Sequence, residues 1–78
     1  MRNKVAEKIV MDLLDELRKA RLKKGFSHEK LAAVCGLNRS TISLIESKKR
    51  IPTILTCIKI ANALELSLSE LLESISKK

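Results

Sequence analysis

Residues 35–46 read Cys-Gly-Leu-Asn-Arg-Ser-Thr-Ile-Ser-Leu-Ile-Glu. Gly36 can take the left-handed backbone conformation that ends one helix, and Asn38 has the short polar side chain that caps the next. The pattern predicts a helix from about Arg39 to Ser47, preceded by a turn of about three residues. A tight turn opened by glycine joins two short helices at a steep angle. On a helical wheel the third-helix residues separate into two faces. Ile42 and Ile45 lie on one, with Asn38 and Thr41. Arg39, Ser40, Ser43, Leu44 and Ser47 lie on the other, with no acidic residue among them. The first face anchors the helix in a core. The second suits the major groove of DNA, where arginine bonds two acceptors of guanine, small hydroxyls reach either base type and leucine touches the thymine methyl. An ordinary amphipathic helix also has two faces, so the surroundings must decide between these readings.

Upstream, Val5, Ile9, Val10, Leu13, Leu14, Leu17 and Ala20 recur at helical spacing, which predicts a first helix over about residues 4–24 stopped by Gly25. Ser27 caps a second, over about residues 28–35, with Leu31, Ala32 and Cys35 on one side. Downstream, Lys48, Lys49 and Arg50 form a basic loop that Pro52 keeps from being helical. Thr53 caps a fourth helix over about residues 54–64, with Leu55, Ile58, Ala61 and Leu64 as its apolar stripe. The Ser67-x-x-Glu70 capping box opens a fifth over about residues 68–75. No strand, repeat or low-complexity tract appears. The expectation is an all-α fold in one domain spanning residues 1–78, a length with room for one small core.

The formal net charge is +7, and its distribution is informative. Residues 1–26 carry eight basic and four acidic groups, residues 27–52 five and two, and residues 53–78 three of each. The excess therefore sits on the part that contains the third helix and its loop, and a polyanion is the natural partner. A solubilising basic surface is the blander account of the same charge. Cys35 and Cys57 show no metal-binding spacing and read as reduced, largely buried thiols, which together with the lack of a leader pattern predicts a cytoplasmic protein. No apolar run approaches the ~20 residues of a membrane span. A single histidine, no nucleophile–base pairing and no glycine-rich phosphate loop argue against an enzyme, and no cofactor or metal is expected.

Several segments together resemble the Cro/C1-type helix-turn-helix family, whose members include phage repressors, restriction-modification controller proteins and antitoxins. They are Leu17-Arg-Lys-Ala-Arg-Leu-Lys-Lys-Gly25, Phe26-Ser-His-Glu-Lys-Leu-Ala32, the quoted stretch from Cys35 to Glu46, Pro52, and Ile60-Ala-Asn-Ala-Leu-Glu-Leu-Ser-Leu-Ser-Glu-Leu-Leu72. The likeness covers roughly residues 13–72. It implies a five-helix, lambda-repressor-like domain in which the second and third helices form the reading unit. By the same resemblance Arg39, Ser40, Thr41, Ser43 and Leu44 fall at base-contacting positions. His28, Asn38, Ser47, Lys48, Lys49 and Arg50 fall near the phosphates. Arg21 and Glu46 occupy the positions of an interhelical salt bridge. Position 28 departs from the family pattern, which usually has glutamine; an imidazole can donate the same bond and binds phosphate more tightly when protonated.

One short reading helix covers few base pairs, so the expectation is a homodimer on palindromic half-sites of double-stranded DNA, acting as a repressor or controller of transcription. Leu68, Leu71, Leu72 and Ile75 are the expected dimer interface, because they exceed what one small core needs. An antitoxin that also binds a toxin is the alternative. A toxin or RNA polymerase is the conceivable protein partner, and no membrane is expected.

Overall fold

A computed structural model describes residues 3–77; residues 1, 2 and 78 of the expected 1–78 domain lie outside the described residues. Five helices follow one another: α1 (Lys4–Lys24), α2 (His28–Cys35), α3 (Arg39–Glu46), α4 (Ile54–Ala63) and α5 (Leu68–Ser76). No strand occurs among the described residues. The predicted ends differ by at most one residue, because Ser47 and Leu64 act as C-caps and α5 runs on to Ser76.

Each helix begins where a polar side chain takes up an otherwise unpaired backbone N–H. The expected caps do so: Ser27 accepts from Lys30, Asn38 from Thr41, Thr53 from Thr56 and Ser67 from Glu70. Asn3 does the same for α1, accepting from the Ala6 N–H at 3.1 Å. At the far ends Gly25 (φ 76°) and Gly36 (φ 73°) adopt the left-handed conformation. This lets the Gly36 N–H and the Leu37 N–H both return to the Ala32 carbonyl, closing α2 and turning the chain toward α3.

The core is built on Leu14, Leu31 and Ile42, one side chain each from α1, α2 and α3, and all fully buried. α2 packs on α3 and α4, while α1 packs on α5 and α3. Cys57 is buried and Cys35 half-buried; both are free thiols, and burial pushes both above the usual thiol range.

One expectation is corrected here. Of the predicted α4 stripe, Ala61 and Leu64 face inward, but Leu55 is 59% and Ile58 41% exposed. The inward stripe is Cys57, Ile60, Ala61 and Leu64. Its spacing is equally helical, and α4 is apolar almost all round, so periodicity alone could not choose the face. In α5, Ile75 is buried in the core of the single chain, and Leu68, Leu71 and Leu72 pack partly buried against that core. Ile75 thus lies inside the domain, while Leu68, Leu71 and Leu72 keep part of their surface on the outside.

Lys48 (φ 65°) and Glu65 (φ 60°) also adopt the left-handed conformation, directly after the C-caps of α3 and α4. Neither is glycine, so each carries strain that Gly25 and Gly36 avoid. A Cβ at Gly36 would meet no neighbour within 4 Å, which leaves backbone strain as the whole cost of a substitution. Gly36→Ala should therefore lower stability by about 1–2 kcal/mol. Lys48→Ala replaces one strained L residue with another and should change it by less than about 1 kcal/mol. Chemical denaturation of the two variants beside the parent chain measures both values.

Candidate nucleic-acid interface

α3 is held from below by two apolar side chains and from one side by a buried ion pair. Ile42 and Ile45, on its inner face, are 1% and 3% exposed. At its C-terminal end Glu46 meets Arg21 of α1 in a two-pronged contact: Arg21 Nε to Glu46 Oε2 at 2.6 Å and Nη2 to Oε1 at 2.9 Å. The remaining guanidinium nitrogen, Nη1, donates to the Phe26 carbonyl at 2.7 Å. Both side chains are largely removed from solvent, at 8% and 10% exposure. One guanidinium thus ties α1, the α1–α2 turn and the end of α3 together. A planar fork matched to a carboxylate is the geometry in which a buried pair offsets its own desolvation.

His28, the first residue of α2, points at the same carboxylate: its Nε2 lies 3.0 Å from Glu46 Oε1. A carboxylate only accepts, so the imidazole is the donor. The histidine therefore braces α3 through Glu46, and its Nδ1 can donate to an anion only when the ring carries both protons. Burial by itself would push the Glu46 carboxyl up, but the hydrogen bonds and charges of Arg21 and His28 outweigh that and hold it below the usual carboxylate range.

Of the expected base-contacting residues, Arg39, Ser40 and Ser43 are exposed and Thr41 and Leu44 half-buried. Arg39 is the first residue of α3, and the first turn of that helix has no acidic side chain. The positive end of the helix dipole and an arginine therefore share one edge, which costs α3 some stability and suits an anionic surface. Asn38 does more than cap. Its side-chain oxygen takes the Thr41 N–H at 2.9 Å, the Ser40 hydroxyl at 2.8 Å and the Thr41 hydroxyl at 2.9 Å. Ser47 donates its own hydroxyl to the Leu44 carbonyl at 3.1 Å.

The basic loop divides into two parts. Lys49 and Arg50 are exposed, and their backbone N–H groups both return to the Leu44 carbonyl, at 3.0 and 3.2 Å, which fixes the loop on the end of α3. Arg50 reaches back to within 3.5 Å of Thr41 Oγ1. Lys48 instead turns toward α1, where its ammonium meets Asp15 at 3.0 Å.

Two features had escaped the sequence reading. Arg18 lies three residues before Arg21 on α1 and lines the same shallow depression as Arg21, His28, Ser43, Glu46 and Ser47. Its guanidinium is half-exposed and 3.8 Å from Glu46, so it adds a cation at the edge of the α3 surface. The i, i+3 spacing from Arg21 was the available signal. The second feature is an apolar face beside the loop, formed by Ile51, Ile54, Leu55 and Ile58, each between 41% and 65% exposed. Among the described residues, no group of three or more potential metal ligands occurs, and no helix is long and apolar enough to cross a membrane.

A family model described as helix-turn-helix matches residues 17–71, well over half of the chain and the whole run from the middle of α1 into α5. No curated protein and no solved structure matches the chain.

Glu46→Gln should cost about 3 kcal/mol at neutral pH, because it leaves Arg21 buried opposite a neutral amide. The pH dependence follows from the depressed carboxyl value. In the unfolded chain the group titrates near 4.5, and in the folded chain it titrates lower. The stabilisation from Glu46 is therefore complete above pH 4.5 and is lost as pH falls from there through the folded value. Urea denaturation of both proteins between pH 3 and pH 7 should show the gap between them narrowing only at the acid end.

Proposed function

The chain belongs to the Cro/C1-type helix-turn-helix family of DNA-binding transcription regulators, and on that premise we propose that it binds specific sites in double-stranded DNA as a homodimer and so represses or controls transcription. The observation that carries the proposal is the composition of the outer face of α3. Arg39, Ser40 and Ser43 are all exposed there, and the one carboxylate of the helix, Glu46, is taken up by its ion pair with Arg21, on a helix locked to the domain by Ile42 and Ile45. Arg39 supplies the guanine contact, Ser40, Ser43 and Leu44 the neighbouring bases, and Thr41 lies at their edge. Lys49, Arg50, the amide of Asn38 and, when doubly protonated, the His28 ring supply the phosphate contacts that set register and much of the affinity.

A two-turn helix reads too few base pairs to define a site alone, which is the physical reason for a second copy. The apolar face of Ile51, Ile54, Leu55 and Ile58 begins one residue beyond Arg50, and that placement supports it as the surface where the copies meet. A contact there adjoins both phosphate-binding loops. The sequence from Ser47 to Leu64 contains no acidic residue, so a second copy brings an apolar face without burying a carboxylate. α5, the interface expected from sequence, commits Ile75 to the core of its own chain and keeps Leu68, Leu71 and Leu72 partly exposed.

Selection of bound sites from random double-stranded DNA should return a palindrome with half-sites about one helical turn apart. On the selected site Arg39→Ala should cost about 1–3 kcal/mol and relax one position of each half-site. An equal loss on random DNA overturns the base-reading role of Arg39. For the second copy, Leu55→Glu should convert a dimer in sedimentation into a monomer of unchanged helicity with much weaker operator binding. A parent chain that stays monomeric both free and on DNA overturns the dimer, and leaves that face to a different protein such as a toxin.

A further inference from the structure

Resting on the reading of α3 as the base-reading helix, we propose that Ser40, held by Asn38, is an acceptor-only reader that selects a base carrying an amino group in the major groove, adenine or cytosine.

The assignment of hydrogens follows from a single atom. The side-chain oxygen of Asn38 accepts the Thr41 backbone N–H at 2.9 Å. An amide nitrogen cannot accept a hydrogen bond, so the atom facing Thr41 is the carbonyl oxygen. That oxygen has no proton of its own. The hydroxyls of Ser40 at 2.8 Å and Thr41 at 2.9 Å meet it as donors, so three donors share two lone pairs, with the Ser40 bond the shortest. A hydroxyl has one proton and two lone pairs. With the proton on Asn38, Ser40 turns only lone pairs outward, and it is exposed. Thr41 is committed in the same way, but it is half-buried and its oxygen lies under Arg50 Nη1 at 3.5 Å. Ser43, one turn on, makes no side-chain hydrogen bond among the described residues, so it can donate or accept and distinguishes little.

The bases differ in what they offer. Adenine N6 and cytosine N4 donate into the major groove, whereas guanine O6 and N7 and thymine O4 only accept. An acceptor-only hydroxyl bonds the first pair directly. To meet the second pair, Ser40 must first release Asn38. The discrimination expected from one such exchanged bond is roughly fivefold to tenfold. Phosphate oxygens also only accept, so the same argument keeps Ser40 off the backbone. The Asn38 NH₂ group has no hydrogen-bond partner among the described residues and is the donor for that role.

The test is selection from random double-stranded DNA with the parent chain, Ser40→Ala, Asn38→Gly and Asn38→Asp, compared position by position. The parent should enrich adenine or cytosine at the one half-site position whose preference flattens in Ser40→Ala. Asn38→Gly keeps a usable cap and frees the hydroxyl to donate, so it should admit guanine and thymine there. Asn38→Asp retains the accepting oxygen and should keep the parent preference, though with lower affinity beside phosphate. An enriched site in which no position responds to Ser40→Ala overturns the proposal alone. So does a responding position that favours guanine or thymine in the parent, or one that Asn38→Gly leaves unchanged. A parent chain that enriches no sequence at all overturns the base-reading function of α3, and this proposal with it.

Discussion

The contact between Arg21 and Glu46 is the constraint on which the exposed face of α3 depends. α3 is only eight residues long, too short to be helical by itself. Its two inward isoleucines fix which face is buried but allow the helix to rock about that line. The ion pair at its C-terminal end removes this freedom, because a planar fork accepts a carboxylate in one orientation. The same guanidinium holds the Phe26 carbonyl, so the start of α2 and the end of α3 are referred to one point on α1. His28 adds a bond from α2 to the shared carboxylate. The angle between α2 and α3 is therefore set by polar geometry as well as by packing. That matters for the proposed role of this surface, which needs atoms placed closely against base edges.

Much of this was legible in the chain because it is written in local signals. Ser27, Asn38, Thr53 and Ser67 announce helix starts through one short side chain each. Gly25 and Gly36 announce helix ends through a conformation few other residues accept. The two faces of α3 could be separated because Ile42 and Ile45 are its only isoleucines and its other side is polar except for Leu44. α4 lacked that contrast. Ile54, Leu55, Cys57, Ile58, Ile60 and Ala61 are apolar on every side, and only packing against α2 and α5 decides which of them are covered. α5 shows a related lack of contrast: Leu68, Leu71 and Leu72 are apolar neighbours, and packing beside α1 covers part of each. The left-handed Lys48 gave no signal, since lysine has no preference for that conformation and the chain enters it to satisfy the end of α3.

Within the site, sequence spacing could assign side chains to a face but not protons to atoms. That Ser40, Thr41 and Ser47 all give their hydroxyl protons inward depends on which carbonyl each one reaches, and this is a property of the folded turn. The position of Arg18 is of the same kind. It was visible as one basic residue in a basic helix, and its place beside Ser43 and Ser47 exists only once α1 and α3 are packed. The family match extends over this whole assembly, and these local placements are what distinguish one member's surface from another's.

The pairing of Lys48 with Asp15 has a consequence for how the loop behaves electrically. Three consecutive basic residues look like a trivalent cation, yet one of them faces its own internal counterion on α1. Toward a polyanion the effective valence of the loop is nearer two. Each phosphate neutralised by a protein cation frees bound salt ions into solution, and those ions supply the entropy of association. A loop that has already neutralised part of its charge frees fewer of them. On the proposed function, its attachment is then less responsive to changes in ionic strength than the run Lys-Lys-Arg suggests, and a larger share of that binding rests on the proposed base contacts.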